Sequence, residues 1–336
     1  MEHERIKDIF IQIGEQIRDQ IYDSLKKQST QHELSTVYED SEEDVIYLID
    51  KRAEDLIIKN FEMHASELGG VVLIGEGIGN RKNPKILPSN FDESTCRYRI
   101  IIDPIDGTRG IMYDKRSAFF LAGAAVNKGY DTMFSDIEVS VMVELPTSRA
   151  AISDVLWAIK GKGAHAYSVN LLNKQTSAKE IRPSKAQSIE GGFAIISKFF
   201  PQGKKKLATI EEELLSSLFP EKFHKISVFD DQYISSGGQL YELLMGHDRF
   251  VADIRKTIFQ AAAQHGEPIG HCCHPYDISA HLIGIEAGII ITDVDGNNLN
   301  CPLDTTENVD WLGFANQAVY RQVYPALYNV LKKSIL

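Results

Sequence analysis

The chain has 336 residues, 43% hydrophobic and 25% charged, an ordinary soluble composition and long enough for one large domain or two medium ones. Its formal net charge of −11 argues against a general binder of nucleic acid or anionic membrane, and its longest apolar runs are too short to cross a bilayer. Four cysteines do not make a disulfide framework, and the charged opening MEHERIKDIFIQIGEQI lacks a signal peptide's apolar stretch, so a cytoplasmic protein is expected.

From the N-terminus, Ile6, Ile9, Phe10, Ile13, Ile17 and Ile21 recur at steps of three and four, which predicts an amphipathic helix over 5–27. Acids crowd 39–55 as on a solvated face, and a second helix is predicted over 44–63. Strands are predicted at 69–75, 97–103, 117–126 and 138–145, and 155–167 reads as two short strands around a glycine turn. Beyond about 180, strands and helices alternate. Strand 193–197 is followed by helix 207–218, strand 225–230, a helix closed by Gly246, and strand 249–254. A helix over 277–288 and the strand IIITDV, ending in an Asp295-Gly296 turn, complete the series. The lysines at 204–206 read as a solvated turn. The first half is thus α+β and the second α/β, with domains expected at 1–185 and 186–336.

Three stretches carry chemistry. In RIIIDPIDGT (99–108) a buried strand ends at Asp103, Pro104 bends the chain, and Asp106 lies on the same rim as the Ile105 carbonyl. Two carboxylates so close repel unless a cation sits between them, and hard oxygen ligands suit Mg²⁺, Mn²⁺ or Ca²⁺ rather than zinc. Gly107 and Thr108 then offer backbone N–H groups to a phosphate. A bare Asp-Gly would be only a hairpin turn; the strand ahead and the threonine behind make this one specific.

The second stretch, VVLIGEGIGN (71–80), imitates a dinucleotide-binding loop. Its glycine spacing is wrong for one, and Glu76 occupies the place where pyrophosphate would approach. Glu76 fits better as a further carboxylate ligand. In the third, HPYDISAHLIGIEAG (274–288), Asp277 opens an apolar helix, where an N-cap is its ordinary role. Beside the other two stretches it supplies the acid for a second cation. HCCH (271–274) invites a zinc reading, but adjacent cysteines lack the spacer a tetrahedral site needs and no second pair exists.

Together GEG (75–77), DPIDGT (103–108) and PYDISAHLIGIEAG (275–288) resemble the motifs of the inositol monophosphatase superfamily, which includes fructose-1,6-bisphosphatases and bisphosphate nucleotidases. The resemblance implies a layered αβαβα fold and a lithium-sensitive, metal-dependent phosphomonoesterase. Two or three Mg²⁺ ions are implied, with Mn²⁺ a substitute. Glu76, Asp103 and the Ile105 carbonyl resemble ligands of a first ion, and Asp103, Asp106 and Asp277 those of a second. Gly107 and Thr108 resemble the phosphate-holding pair. Asp50 resembles the acid that bonds the threonine hydroxyl and orients the attacking water, and Asp253 an acid that contacts substrate hydroxyls. The expected partner is a small phosphorylated substrate such as an inositol monophosphate, and a homodimer is compatible with the resemblance.

Departures bear on the substrate rather than the chemistry. Gly77 stands where a second acid is usual, Tyr276 where tryptophan is common, and Arg109-Gly110 follows the threonine. About twenty residues are inserted between Asp253 and Asp277. A bisphosphate nucleotide or fructose-1,6-bisphosphate therefore stays open as substrate, with Arg81, Lys82 and Lys85 as candidate contacts to a second phosphate. From another class, a catalytically silent binding protein would keep the fold; four clustered carboxylates are costly without a cation and argue against it.

Overall fold

The computed structural model describes residues 2–27, 37–40, 45–221, 225 and 228–335. Helix α1 (Glu2–Lys26) buries Ile6, Ile9, Phe10, Ile13, Ile17 and Ile21 along the predicted stripe. β1 (Val37–Asp40) pairs antiparallel with β2 (Val45–Tyr47), which leads directly into α2 (Leu48–His64). The second helix therefore starts later than predicted: Val45, Ile46 and Tyr47 are strand formers and take the strand.

Eight strands make the larger sheet: β3 (Val71–Gly75), β4 (Lys85–Leu87), β5 (Tyr98–Asp106), β6 (Ala118–Val126), β7 (Ile137–Leu145), β8 (Ile152–Ile159), β9 (Ala164–Asn170) and β10 (Thr176–Lys179). Their spatial order is β10-β9-β8-β7-β6-β5-β3-β4, and only the β3–β5 pair is parallel. That parallel pair places the ends of β3 and β5, and so the GEG and DPIDGT turns, on the same sheet edge. The predicted strand 97–103 extends three residues further, through Asp106, with a bulge in its pairing to β6 between Asp103 and Asp106. The bulge absorbs Pro104, which cannot donate to the ladder.

Alternation along these strands feeds two cores. Ile100 and Ile102 join α1 and α2 on one face. Ile101, Phe119, Leu121 and Met142 face the other way, against residues of the second half such as Leu240, Ile283 and Trp311.

The second sheet is β12-β11-β13-β15-β14, built from β11 (Gly192–Ile196), β12 (Val228–Phe229), β13 (Asp248–Asp253), β14 (Ile290–Thr292) and β15 (Trp311–Phe314). β12 covers part of the predicted strand 225–230, of which 226 and 227 lie outside the described residues. After α3 (Thr108–Met112), α4 (Lys204–Leu218) begins with the three lysines, which are exposed but helical rather than a turn. α5 (Ser236–Leu244) and α7 (His281–Glu286) lie between the two sheets, while α4, α6 (Arg255–Ala263) and α8 (Gln317–Ile335) cover the outer face of the second. The layers run αβαβα.

The predicted helix 277–288 is broken in two. A 3-10 turn, Tyr276–Ile278, precedes α7, and the Ser279 carbonyl between them accepts the Ser140 hydroxyl at 3.0 Å. Asp277 is accordingly not a helix cap. Its Oδ2 accepts the backbone N–H of His274 at 2.7 Å, which points the carboxylate back toward β5.

Candidate active site

β5 is buried along its whole length, so its C-terminal end is where polar side chains emerge together. Asp103 is 1% exposed and accepts the Ile105 N–H at 3.0 Å. Asp106 is held from the opposite side: its Oδ2 accepts the Ser235 hydroxyl at 2.8 Å and the Gly237 N–H at 2.5 Å. Ser235 is the N-cap of α5 and also accepts the Gly238 N–H, so one hydroxyl closes the helix and fixes the acid. A Cβ on Gly237 would lie 2.8 Å from Asp106 Oδ2, which explains the glycine.

Oxygen atoms of Asp103, Asp106 and Asp277 lie within 4.8 Å of one another. Burial, then the charges of Glu76, Asp106 and Asp277, push the Asp103 carboxyl well above its ordinary range. Burial and Asp277 push Asp106 up to about 8, against the bonds from Ser235 and Gly237. Carboxyls so placed keep their protons unless a cation joins them. An all-oxygen donor set of this kind fits a hard divalent cation such as Mg²⁺, and it is the only such group among the described residues.

Glu76 lines the same cavity from the turn after β3 but lies outside that tight group. The glycines of its loop are filled by the protein's own atoms. A Cβ on Gly75 would meet the Ile102 carbonyl at 2.7 Å, one on Gly77 the Glu54 carboxylate at 1.8 Å, and one on Gly79 the Asn83 carbonyl at 2.9 Å. No open cradle for a dinucleotide remains there.

Thr108 begins α3, and its hydroxyl lies 3.0 Å from Asp50 Oδ1 and 2.8 Å from the Ile105 carbonyl. Asp50, in the first turn of α2, thus reaches the threonine predicted for it. Gly107, the residue before, has φ 96°, a conformation that favours glycine. The carbonyl of Ile105 keeps a second lone pair beyond its bond to Thr108.

Asp253 is corrected. It is fully buried, its two oxygens accept Arg255 Nε at 2.8 Å and Nη2 at 2.5 Å, and it does not line the cavity; Arg255 does. The strand ends at 253 and the chain turns into α6, which folds the arginine back over the acid. Nor does Arg81 reach the cavity. Its guanidinium stacks on Tyr130 at 3.5 Å and donates to the Tyr130 carbonyl, and neither Lys82 nor Lys85 lines the cavity. Both cysteines of the HCCH segment, Cys272 and Cys273, are free and buried, and His271 and Cys272 line the cavity without forming a ligand cluster.

The cavity itself, about 90 Å³, is lined by the acids and also by Phe199, Phe200, Ile234, Arg255 and His271. Sequence reasoning missed the Ser235-Ser236-Gly237-Gly238 cap and Arg255. Two adjacent serines before two glycines, opening an apolar helix, were the readable signal for the first.

No curated protein matches the sequence. Among solved structures, the Leishmania major fructose-1,6-bisphosphatase in holo form aligns with TM-score 0.67 and 12% identity, covering 97% of this chain and 94% of that one. Mycobacterium tuberculosis SuhB aligns with TM-score 0.60 and 12% identity over 97% of each chain. The Thermotoga maritima IMPase aligns with TM-score 0.59 and 16% identity, over 98% and 99%. At these identities the structures establish the shared fold. The family model described as the inositol monophosphatase family matches residues 3–329, nearly the whole length, and the chain belongs to that family.

Proposed function

We propose that the protein is a Mg²⁺-dependent phosphomonoesterase that hydrolyses a small phosphorylated metabolite with water as the nucleophile. The observation that carries this reading is the convergence of Asp103, Asp106 and Asp277 within 4.8 Å beside Thr108 and its acid, Asp50. Asp103, Asp106, Asp277, Glu76 and the Ile105 carbonyl would hold the ions, Mn²⁺ serving as a substitute. Bound there, divalent cations supply positive charge that neutralises phosphate and makes water more acidic.

The chain's own residues do the rest. Thr108 has one hydroxyl proton and two acceptors, so bonding to Asp50 leaves its oxygen lone pairs to orient a water, with Asp50 as the eventual proton acceptor. Backbone N–H groups at Gly107 and Thr108 would bind charge that develops on the phosphate oxygens. Asp106 stays aligned because α5 holds one oxygen and leaves the other toward the cavity. Phe199, Phe200 and Ile234 add apolar surface to the lining of the same cavity. No side chain is needed as a covalent nucleophile.

The test is phosphate release with and without Mg²⁺ from inositol monophosphates, fructose-1,6-bisphosphate, 3′-phosphoadenosine 5′-phosphate, histidinol phosphate and NADP. Asp106→Asn should abolish release while leaving circular dichroism unchanged. A wild-type protein that hydrolyses none of the panel, yet binds phosphate and Mg²⁺, would instead be the silent binding protein.

A further inference from the structure

Arg255 is 3% exposed, yet it lines the same cavity as the acids. Every part of it is fixed. Nε and Nη2 donate to the two oxygens of Asp253, and Nη1 donates to the His271 carbonyl at 3.0 Å. The guanidinium carbon lies 4.7 Å from the ring centre of Phe199 and 5.3 Å from that of Phe200. A guanidinium carries five N–H groups, and these bonds use three. The two left over are one on Nη1 and one on Nη2, on a guanidinium that lines the cavity.

Such a pair matches two oxygens of one phosphate or carboxylate, and a rigid fork loses little freedom on binding. Asp253 balances the arginine's charge through both of its oxygens. Arg109 adds a second guanidinium side chain to the same lining. A buried ion pair is weak as a stabilising device, and this one keeps a fork pre-set inside a cavity that opens on the reaction centre.

Resting on the phosphatase reading above, we propose that Arg255 is a specificity residue that binds an anionic group of the substrate other than the phosphate that is hydrolysed, either a second phosphate or a carboxylate. Substrates bearing only hydroxyls in its place would leave the fork half used.

Three esters separate the cases: glycerol 2-phosphate with no second charge, 2-phosphoglycerate with a carboxylate, and fructose-1,6-bisphosphate with a second phosphate. For the wild type, kcat/KM for at least one charged ester should exceed that for glycerol 2-phosphate about 30-fold, and which one does so identifies the anion. Arg255→Lys keeps the ion pair but offers no fork, and should erase most of that advantage through KM. A double variant, Asp253→Asn with Arg255→Gln, replaces the pair by neutral amides and should lose the preference equally. Equal use of all three esters by the wild type, or a uniform drop across them in the variants, would overturn the proposal. Calorimetric binding of the same esters with Ca²⁺ in place of Mg²⁺ runs in parallel. Absent turnover with the binding preference intact would sink the phosphatase reading and leave Arg255 standing, whereas absent binding preference would remove Arg255.

Discussion

Thr108 holds one proton between two acceptors, and that single hydroxyl links the helix acid Asp50 to the strand end. Thr108→Val removes the link while preserving shape. We expect kcat to fall about 10²- to 10⁴-fold with Mg²⁺ affinity unchanged by calorimetry, since valine deletes water positioning and no proposed cation ligand. At this scale the sequence was most legible where local chemistry is self-contained. Asp103 and Asp106 declare themselves because a buried strand, a proline and Asp-Gly-Thr follow one another without help from elsewhere. Asp253 was misread because its partner decides its role: the triplet Asp-Ile-Arg puts opposite charges two residues apart, and only the turn into α6 brings them face to face. The cap on Asp106 was out of reach for another reason, since Ser235 and Gly237 lie 129 and 131 residues away.

Among the elements, α5 joins stability to the site. Ser235→Ala deletes both the cap to Gly238 and the bond to Asp106, so it should cost about 1 kcal/mol and a few degrees in Tm, and it should weaken Mg²⁺ binding as well. An ordinary cap elsewhere would change only the first. β7 carries a separate pH response. Burial pushes the Glu144 carboxyl up to about 7, although the Ser117 hydroxyl and the Asp154 N–H donate to it. Between its ordinary range and about 7, the unfolded chain has lost this proton while the folded one keeps it, so stability falls as pH rises through that window and levels off above it. Glu144→Gln should flatten that slope, read as Tm across the same window. Element type was legible wherever periodicity ran long, as in α1 and β5 to β7. It failed at 277–288, where apolar spacing suggested one helix but the Ser140 hydroxyl claims the Ser279 carbonyl within it.

Over the whole molecule, the first half supplies Glu76, Asp103, Asp106 and Thr108 from β5 and the turns at the ends of β3 and β5, and the second half supplies Ser235, Arg255 and Asp277. A cation bound by both halves stabilises only the assembled state. At one hundred times its dissociation constant it adds about 2.7 kcal/mol, so Mg²⁺ should raise Tm by several degrees and EDTA should reverse the rise. Asp277→Asn should remove that dependence without lowering the Tm measured in EDTA. The layered fold was legible from the order of elements together with the resemblance; the broken helix before α7 and the shared middle layer were not, because both arise from contacts between the halves. Those contacts also set a schedule for biosynthesis. A nascent chain that has emerged only as far as β10 holds two buried acids with neither the α5 cap nor Asp277 to complete them. The proposed cation site would therefore be assembled late in translation, and any fragment that stops short of residue 277 should fail to bind Mg²⁺ however well its first sheet has formed.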